Sequence, residues 1–238
     1  MLLAGCSNGP AESGSASSAG ATVSPTTGEI AVPPSTFVST TVTIARAVSG
    51  TSVVPATVPA PSVYVFPFVG KRVSYGTTHH DYPAADVFGC GAIVVAPTDG
   101  TVVQTRDVDL WDPAIDSPAN RGGKFVAMVG GDGVRYYFAH LDSVLADEGQ
   151  AVLPGDPLGV MGRTGNARET ACHTHVGISW PCPADEWAVR RGEVWPSAYL
   201  DAWRAGEQRS PVLEVYATAQ ANPTACADAI ADPSAADA

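Results

Sequence analysis

Lysine is nearly missing from this chain: Lys71 and Lys124 are the only two among 238 residues, and the net charge is −11. With no basic stripe to neutralise a phosphate backbone, nucleic acid is not an expected partner. Long apolar runs are missing too. No segment approaches the ~20 apolar residues that a spanning helix needs, so a membrane would be met only at its surface. No repeat of solenoid length is present. Aromatics make up 8% and charged residues 16%, against 24 glycines and 20 prolines, a balance that favours short strands and tight turns over long helices.

Cysteine is sparse, and its five positions divide into two groups. Cys6 closes Met-Leu-Leu-Ala-Gly-Cys, which matches the end of a bacterial lipoprotein signal, where small residues precede a cysteine that receives a lipid. The charged and long apolar parts of such a signal are not in the sequence, so the expected precursor extends upstream of Met1. Cys6 is then the lipidated residue, and the mature chain is held at a membrane surface outside the cytoplasm. The remaining four, Cys90, Cys172, Cys182 and Cys226, suit two disulfides in an oxidising compartment. Cys172 and Cys182 lie ten residues apart around a strand and turn and are the favoured pair, which leaves Cys90 with Cys226.

The chain divides into a signal remnant (1–6), a Ser/Thr/Ala/Pro-rich tether (7–60), a folded domain (61–218) and a tail (219–238). The tether offers too few apolar side chains to offset its ordering entropy and reads as disordered, apart from a marginal strand over 36–48. Its ~50 residues would let the domain range on the order of 40 Å from the anchor. The tail reads as disordered as well. Within the domain, SVYVFPF, GAIVVAP, TVVQTRDV, GGKFVAMVG, VRYYFAHL and LGVMG alternate with turns such as TDG and GDG. Period-two alternation with glycine-bearing turns predicts an all-β, mainly antiparallel fold. Only 184–191 and 196–204 read as helical.

Histidine is the last scarcity, and its placement carries chemistry. All five histidines fall in three segments: HHDYPAAD (79–86), YYFAHLDS (136–143) and CHTHVGIS (172–179). Side chains at i and i+2 of a strand share a face, so His173 and His175 would project into one site. Asp86 opens a strand-like run and is an ordinary carboxylate donor for a metal beside imidazoles. Tyr82, Tyr137 and Arg163 could line a groove, but aromatics in strands are more often packing residues, and none is placed in the site.

In their order and spacing these motifs resemble the lysostaphin-type zinc metalloendopeptidases, which cut peptide bonds in bacterial cell-wall peptidoglycan. The likeness runs over roughly 63–213 and includes HHDYPAAD, APTDGTVV, YFAHL, EGQAVLPGDPLGVMGRTGN and HTHVGIS. It implies a lysostaphin-type fold, one zinc ion per chain, peptidoglycan peptides as partners and a monomer facing the wall. Carried over residue by residue, it makes His80, Asp86 and His175 the metal ligands and His140 and His173 the catalytic pair. Members commonly have three residues between the first histidine and the aspartate; here five follow His80 and six follow His79. His80 needs the shorter bulge and is preferred as first ligand, with His79 as the alternate.

Two other readings stand beside this one. A catalytically silent wall-binding or amidase-regulating module of the same fold would usually lack a metal histidine, and here every expected position is filled. A biotinyl or lipoyl carrier, suggested by APTDGTVV and VLPGDPLG, needs a lysine at a hairpin tip. Neither lysine is placed so.

Overall fold

The computed structural model describes residues 62–184 and 186–232; Cys6, the tether over 7–60 and the marginal strand within 36–48 lie outside the described residues. Short apolar alternations punctuated by glycine produce short strands. In chain order they are β1 (Phe68–Val69), β2 (Ser74–Tyr75), β3 (Ala85–Phe88), β4 (Ile93–Val95), β5 (Gly100–Arg106) and β6 (Phe125–Gly130). There follow β7 (Arg135–Ala139), β8 (Leu141–Val144), β9 (Ala151–Val152), β10 (Pro157–Met161) and β11 (His173–Ser179), then helices α1 (Ser197–Arg204), α2 (Val212–Ala221) and α3 (Ala225–Ala231). All strand pairings are antiparallel, in a seven-stranded sheet ordered β2-β3-β11-β7-β6-β5-β9 and a four-stranded sheet ordered β1-β4-β10-β8. The predicted all-β class is the one the structure has.

Every residue of β7 and β11 is buried, so these central strands present two covered faces. One face sends Tyr136, Phe138, Val176 and Ile178 into the main core with Val87, Val126 and Met128. Each such side chain contributes about 1.5–3 kcal/mol by leaving water. The opposite face carries Tyr137 and Ala139 against Phe125 and Ala127. By the period of two, Asp86, His173 and His175 belong to this second face. Helix α1 closes the far side of the core: Trp203 stacks on Tyr64 with ring centroids 5.4 Å apart and donates its indole N–H to the Arg209 carbonyl at 2.8 Å.

Three expectations need correction. The helical reading of 184–191 yields only a 3-10 turn over Val189–Arg191, because the buried Glu186 is held by Arg135 at 3.0 Å and Gly192 at φ 143° ends the turn. The tail read as disordered carries the end of α2 and all of α3. Alanine has the highest helix propensity, and this stretch is alanine-rich; α3 buries no residue and is tied down through Cys226.

The disulfides are Cys90–Cys172 and Cys182–Cys226, not Cys172–Cys182 and Cys90–Cys226. Cys172 and Cys182 stand beyond opposite ends of β11, and an extended strand keeps its ends apart at about 3.3 Å per residue. Cys90 follows β3, whose Phe88 pairs with His173, so register brings it beside Cys172 with Cα atoms 5.1 Å apart. Non-reducing peptide mapping should recover these two pairs. Replacing Cys90 and Cys172 by serine should cost about 2–5 kcal/mol in urea unfolding, since the bridge closes a separation of 82 residues. A Cys172–Cys182 peptide would contradict the register.

Candidate metal centre

Antiparallel register builds the centre. His175 of β11 pairs with Asp86 of β3 on one side and with Ala139 of β7 on the other. The row places an imidazole next to a carboxylate, with His140 one residue beyond. His140 has φ +62°, a left-handed conformation uncommon for residues other than glycine but one that histidine visits more than most. Its N–H bonds to the Gly122 carbonyl at 2.9 Å, and the next N–H, that of Leu141, bonds to Lys124 O at 3.0 Å. The chain leaves the seven-stranded sheet for the four-stranded one at this residue.

His79, Asp86 and His175 each offer a donor atom within 4.8 Å of the others. His175 Nε2 lies 2.8 Å from the Arg191 carbonyl, which can only accept, so that nitrogen carries the proton. Nδ1 then faces Asp86 Oδ1 at 3.2 Å. Two acceptors at that separation are brought together by a positive charge between them, a proton or a metal cation. His79 Nε2 lies 3.8 Å from Asp86 Oδ2, beyond hydrogen-bond reach, and its Nδ1 is buried with no hydrogen-bond partner. Two imidazoles and one carboxylate gathered this closely form a donor set that fits zinc.

The preferred first ligand, His80, is exposed and outside this group; His79 takes its place. The longer loop explains the difference. Tyr82 packs its ring 4.5 Å from that of His79 and lies under the Arg191 guanidinium at 3.9 Å, so the loop is pinned with His79 turned inward, where its ring meets His175 at 5.0 Å.

His140 and His173 stand next to the donor set, with ring centroids 4.8 Å apart. His140 Nδ1 donates to Thr164 O at 2.9 Å and His173 Nδ1 donates to Ala171 O at 2.8 Å. Both bonds fix the same tautomer and leave Nε2 with a lone pair. Thr164 is itself held: its hydroxyl donates to Leu141 O at 2.8 Å and accepts from Lys124 N–H at 3.0 Å. Gly165 follows at φ +69° with a side-chain position already filled by the Arg121 carbonyl, so the Gly-Arg-Thr-Gly turn is a support for His140.

Burial holds these groups away from their usual titration. Burial first, then the charges of His175 and His173, lower the His140 imidazole to about 3, against pulls from Thr164 and Asp86. Burial and His175 lower His79 as well. Burial would raise the Asp86 carboxyl, but the His175 hydrogen bond and the neighbouring imidazoles outweigh it and bring it to about 2. The site at neutral pH therefore combines an ionised carboxylate with a neutral His140.

These residues line a cleft of about 340 Å³. Tyr82 and Tyr137, left out of the site on sequence grounds, are in its wall, whereas Arg163 is exposed elsewhere. Trp187, Arg190, Arg191 and Arg121 also line it. They come from two loops with no periodic pattern, and the one signal was Arg190–Arg191 in a chain with 13 lysines and arginines. The loop over 186–191 is anchored from below: buried Arg135 pairs with Glu186, whose other carboxylate oxygen accepts the Val189 N–H. Gly177 gives that loop its room, because the Arg191 carbonyl occupies the space of a Cβ there.

Glu193, just past the loop, is pushed up to about 7, first by burial and further by Glu186, against Arg191 and Arg135. Between the ordinary glutamate value and 7 the folded protein keeps a proton that the unfolded chain has lost. Stability should therefore fall as pH rises from about 4.5 to 7 and level off above. Glu193→Gln should remove that decline in denaturant midpoints measured across this range.

Residues 83–190 match the profile of peptidase family M23. The match takes in Asp86, His140, His173 and His175 and begins just after His79. Among solved structures, a Ruminococcus gnavus protein described as a glycyl-glycine endopeptidase is similar at 22% identity and TM-score 0.47, with 63% of each chain covered. The catalytic domain of the antimicrobial peptidase lysostaphin from Staphylococcus simulans is similar at 22% identity and TM-score 0.41, covering 56% of this chain and 92% of that one. A zinc-containing peptidase from Vibrio cholerae aligns at 20% identity and TM-score 0.38 over 56% of this chain and 38% of its own. The chain thus spans less than two thirds of the Ruminococcus protein's length. No curated protein sequence matches it.

Proposed function

We propose that this domain is a zinc-dependent endopeptidase that hydrolyses peptide bonds in peptidoglycan stem peptides or cross-links. The observation that carries this reading is the convergence of His79, Asp86 and His175 beside two further imidazoles whose Nε2 lone pairs are free. His79 Nε2, an Asp86 oxygen and His175 Nδ1 would hold the ion. When bound, zinc supplies a Lewis acid that polarises a carbonyl and lowers the pKa of water. The chain's own part is proton handling. His140 or His173 takes the proton of the attacking water at Nε2, and the N–H so formed donates to the tetrahedral oxygen or to the departing amine. Their carbonyl partners, Thr164 and Ala171, keep each ring aimed while its charge changes. The silent-module reading calls for a missing donor, and all of these donors are present.

Incubating the whole chain with defined muropeptides, with and without chelator and added zinc, tests the reading. Mass spectrometry should show one new amine and one new carboxylate per cut, only with metal. Intact muropeptides after zinc loading would reject it.

The proposed setting is the outer face of a bacterial membrane, with the domain anchored through a lipid on Cys6. Two disulfides in the domain suit such an oxidising compartment. With an upstream signal restored, the precursor should partition into detergent, and Cys6→Ser should move to the soluble fraction. Equal membrane retention of both would rule out this anchor.

A further inference from the structure

Among the described residues, Arg190 is a buried cation without a counter-ion. Its residue is 5% exposed and lines the cleft. The guanidinium lies over the Phe125 ring, 4.4 Å from its centroid, and over Tyr137 at 5.0 Å. Among the described residues its one polar partner is the neutral side-chain carbonyl of Gln104, and its Nε is buried with none. Among the described residues no carboxylate pairs with it. Glu186, the buried acid on this side of the sheet, is taken by Arg135 and the Val189 N–H. The neighbouring charges are of the same sign: Arg106 sits over the same Phe125 ring at 5.0 Å and spends its hydrogen bonds on Ala119 O and Asn120 Oδ1. Taking an unpaired charge out of water is costly, and buried charges are normally paired. The chain has a net charge of −11, yet none of the acids among the described residues pairs with this guanidinium.

We propose that Arg190 is the anion-recognition residue of the cleft, and that the preferred substrate is a peptide bearing a free carboxylate next to the scissile region. The proposal rests on the peptidase reading and narrows its substrate class. Planar, always charged and already stacked on two rings, the guanidinium is pre-ordered to accept a carboxylate through its remaining N–H groups. A carboxamide in the same place cannot neutralise it. Tyr137 connects the two parts of the cleft, since its ring lies under Arg190 and 6.1 Å from that of His175.

The test uses two muropeptides that differ only in whether one carboxylate is free or amidated. Binding to the whole, zinc-loaded protein is followed by calorimetry and cleavage is followed in parallel. Wild type should bind the acid form at least tenfold more tightly, with a preference that weakens as salt increases. Arg190→Gln should bind both forms equally, and Arg190→Lys should keep part of the preference. Because the wild-type comparison needs no variant, a poorly folded Arg190→Gln would leave the test standing on wild type and Arg190→Lys. Equal binding of the two peptides by wild type, whether or not either is cut, overturns the proposal, as does an undiminished preference in Arg190→Gln. Discrimination in binding without cleavage would uphold the role of Arg190 while rejecting the peptidase reading.

Discussion

His140→Ala and His173→Ala should each lower turnover on a cleavable muropeptide by on the order of a hundredfold or more while retaining metal and fold. That is the scale expected for removing a general acid or base. The geometry makes the expectation specific. Each ring spends Nδ1 on a backbone carbonyl, so the group lost in either variant is a free Nε2 facing the cleft. The rings are 4.8 Å apart, close enough to serve one reacting centre, and the double variant should lose less than the product of the two single losses. Neither residue is in the donor set, so metal content should stay near one per chain. Wild-type turnover in either variant would remove that histidine from the chemistry. Loss of metal with loss of turnover would make it a ligand instead.

The second large effect is on metal affinity. His175→Ala and His79→Ala should each abolish stable zinc binding, because an open site with three protein ligands does not hold its ion on two. His80→Ala should bind as wild type does, its side chain being exposed and outside the group. Competition with a chromogenic chelator gives the affinities directly. Metal loss in the His80 variant with retention in the His79 variant would reverse the assignment.

The comparison of His79 with His80 also shows how far the residues alone could be read. His173 and His175 were legible as a pair because strand alternation forces i and i+2 onto one face, and Asp86 because it opens a strand. No such rule acts in the loop before β3, where the ring turned inward is decided by Tyr82 and Arg191 packing around it. The disulfides failed for a related reason. Proximity along the chain suggested Cys172 with Cys182, whereas the pairing of β3 with β11 decides the matter from 82 residues away. Arg190 had no motif around it at all; its isolation is a property of what the fold packs near it. The antiparallel character of the sheets was legible, since alternation and turn glycines act locally, and the helices after 212 were missed because α2 buries only Val215 and α3 buries no residue, so neither carries an apolar stripe to read.

The central claim is that His79, Asp86 and His175 hold the metal on which peptide hydrolysis depends. Its most direct measurement is a stepwise chelator titration of one preparation of the whole chain, with bound zinc and muropeptide cleavage read at every step. Cleavage should fall in proportion to zinc, reach zero with it, and return on adding one equivalent. Cleavage that persists after the zinc has been removed, or its absence at full zinc occupancy, would contradict the account.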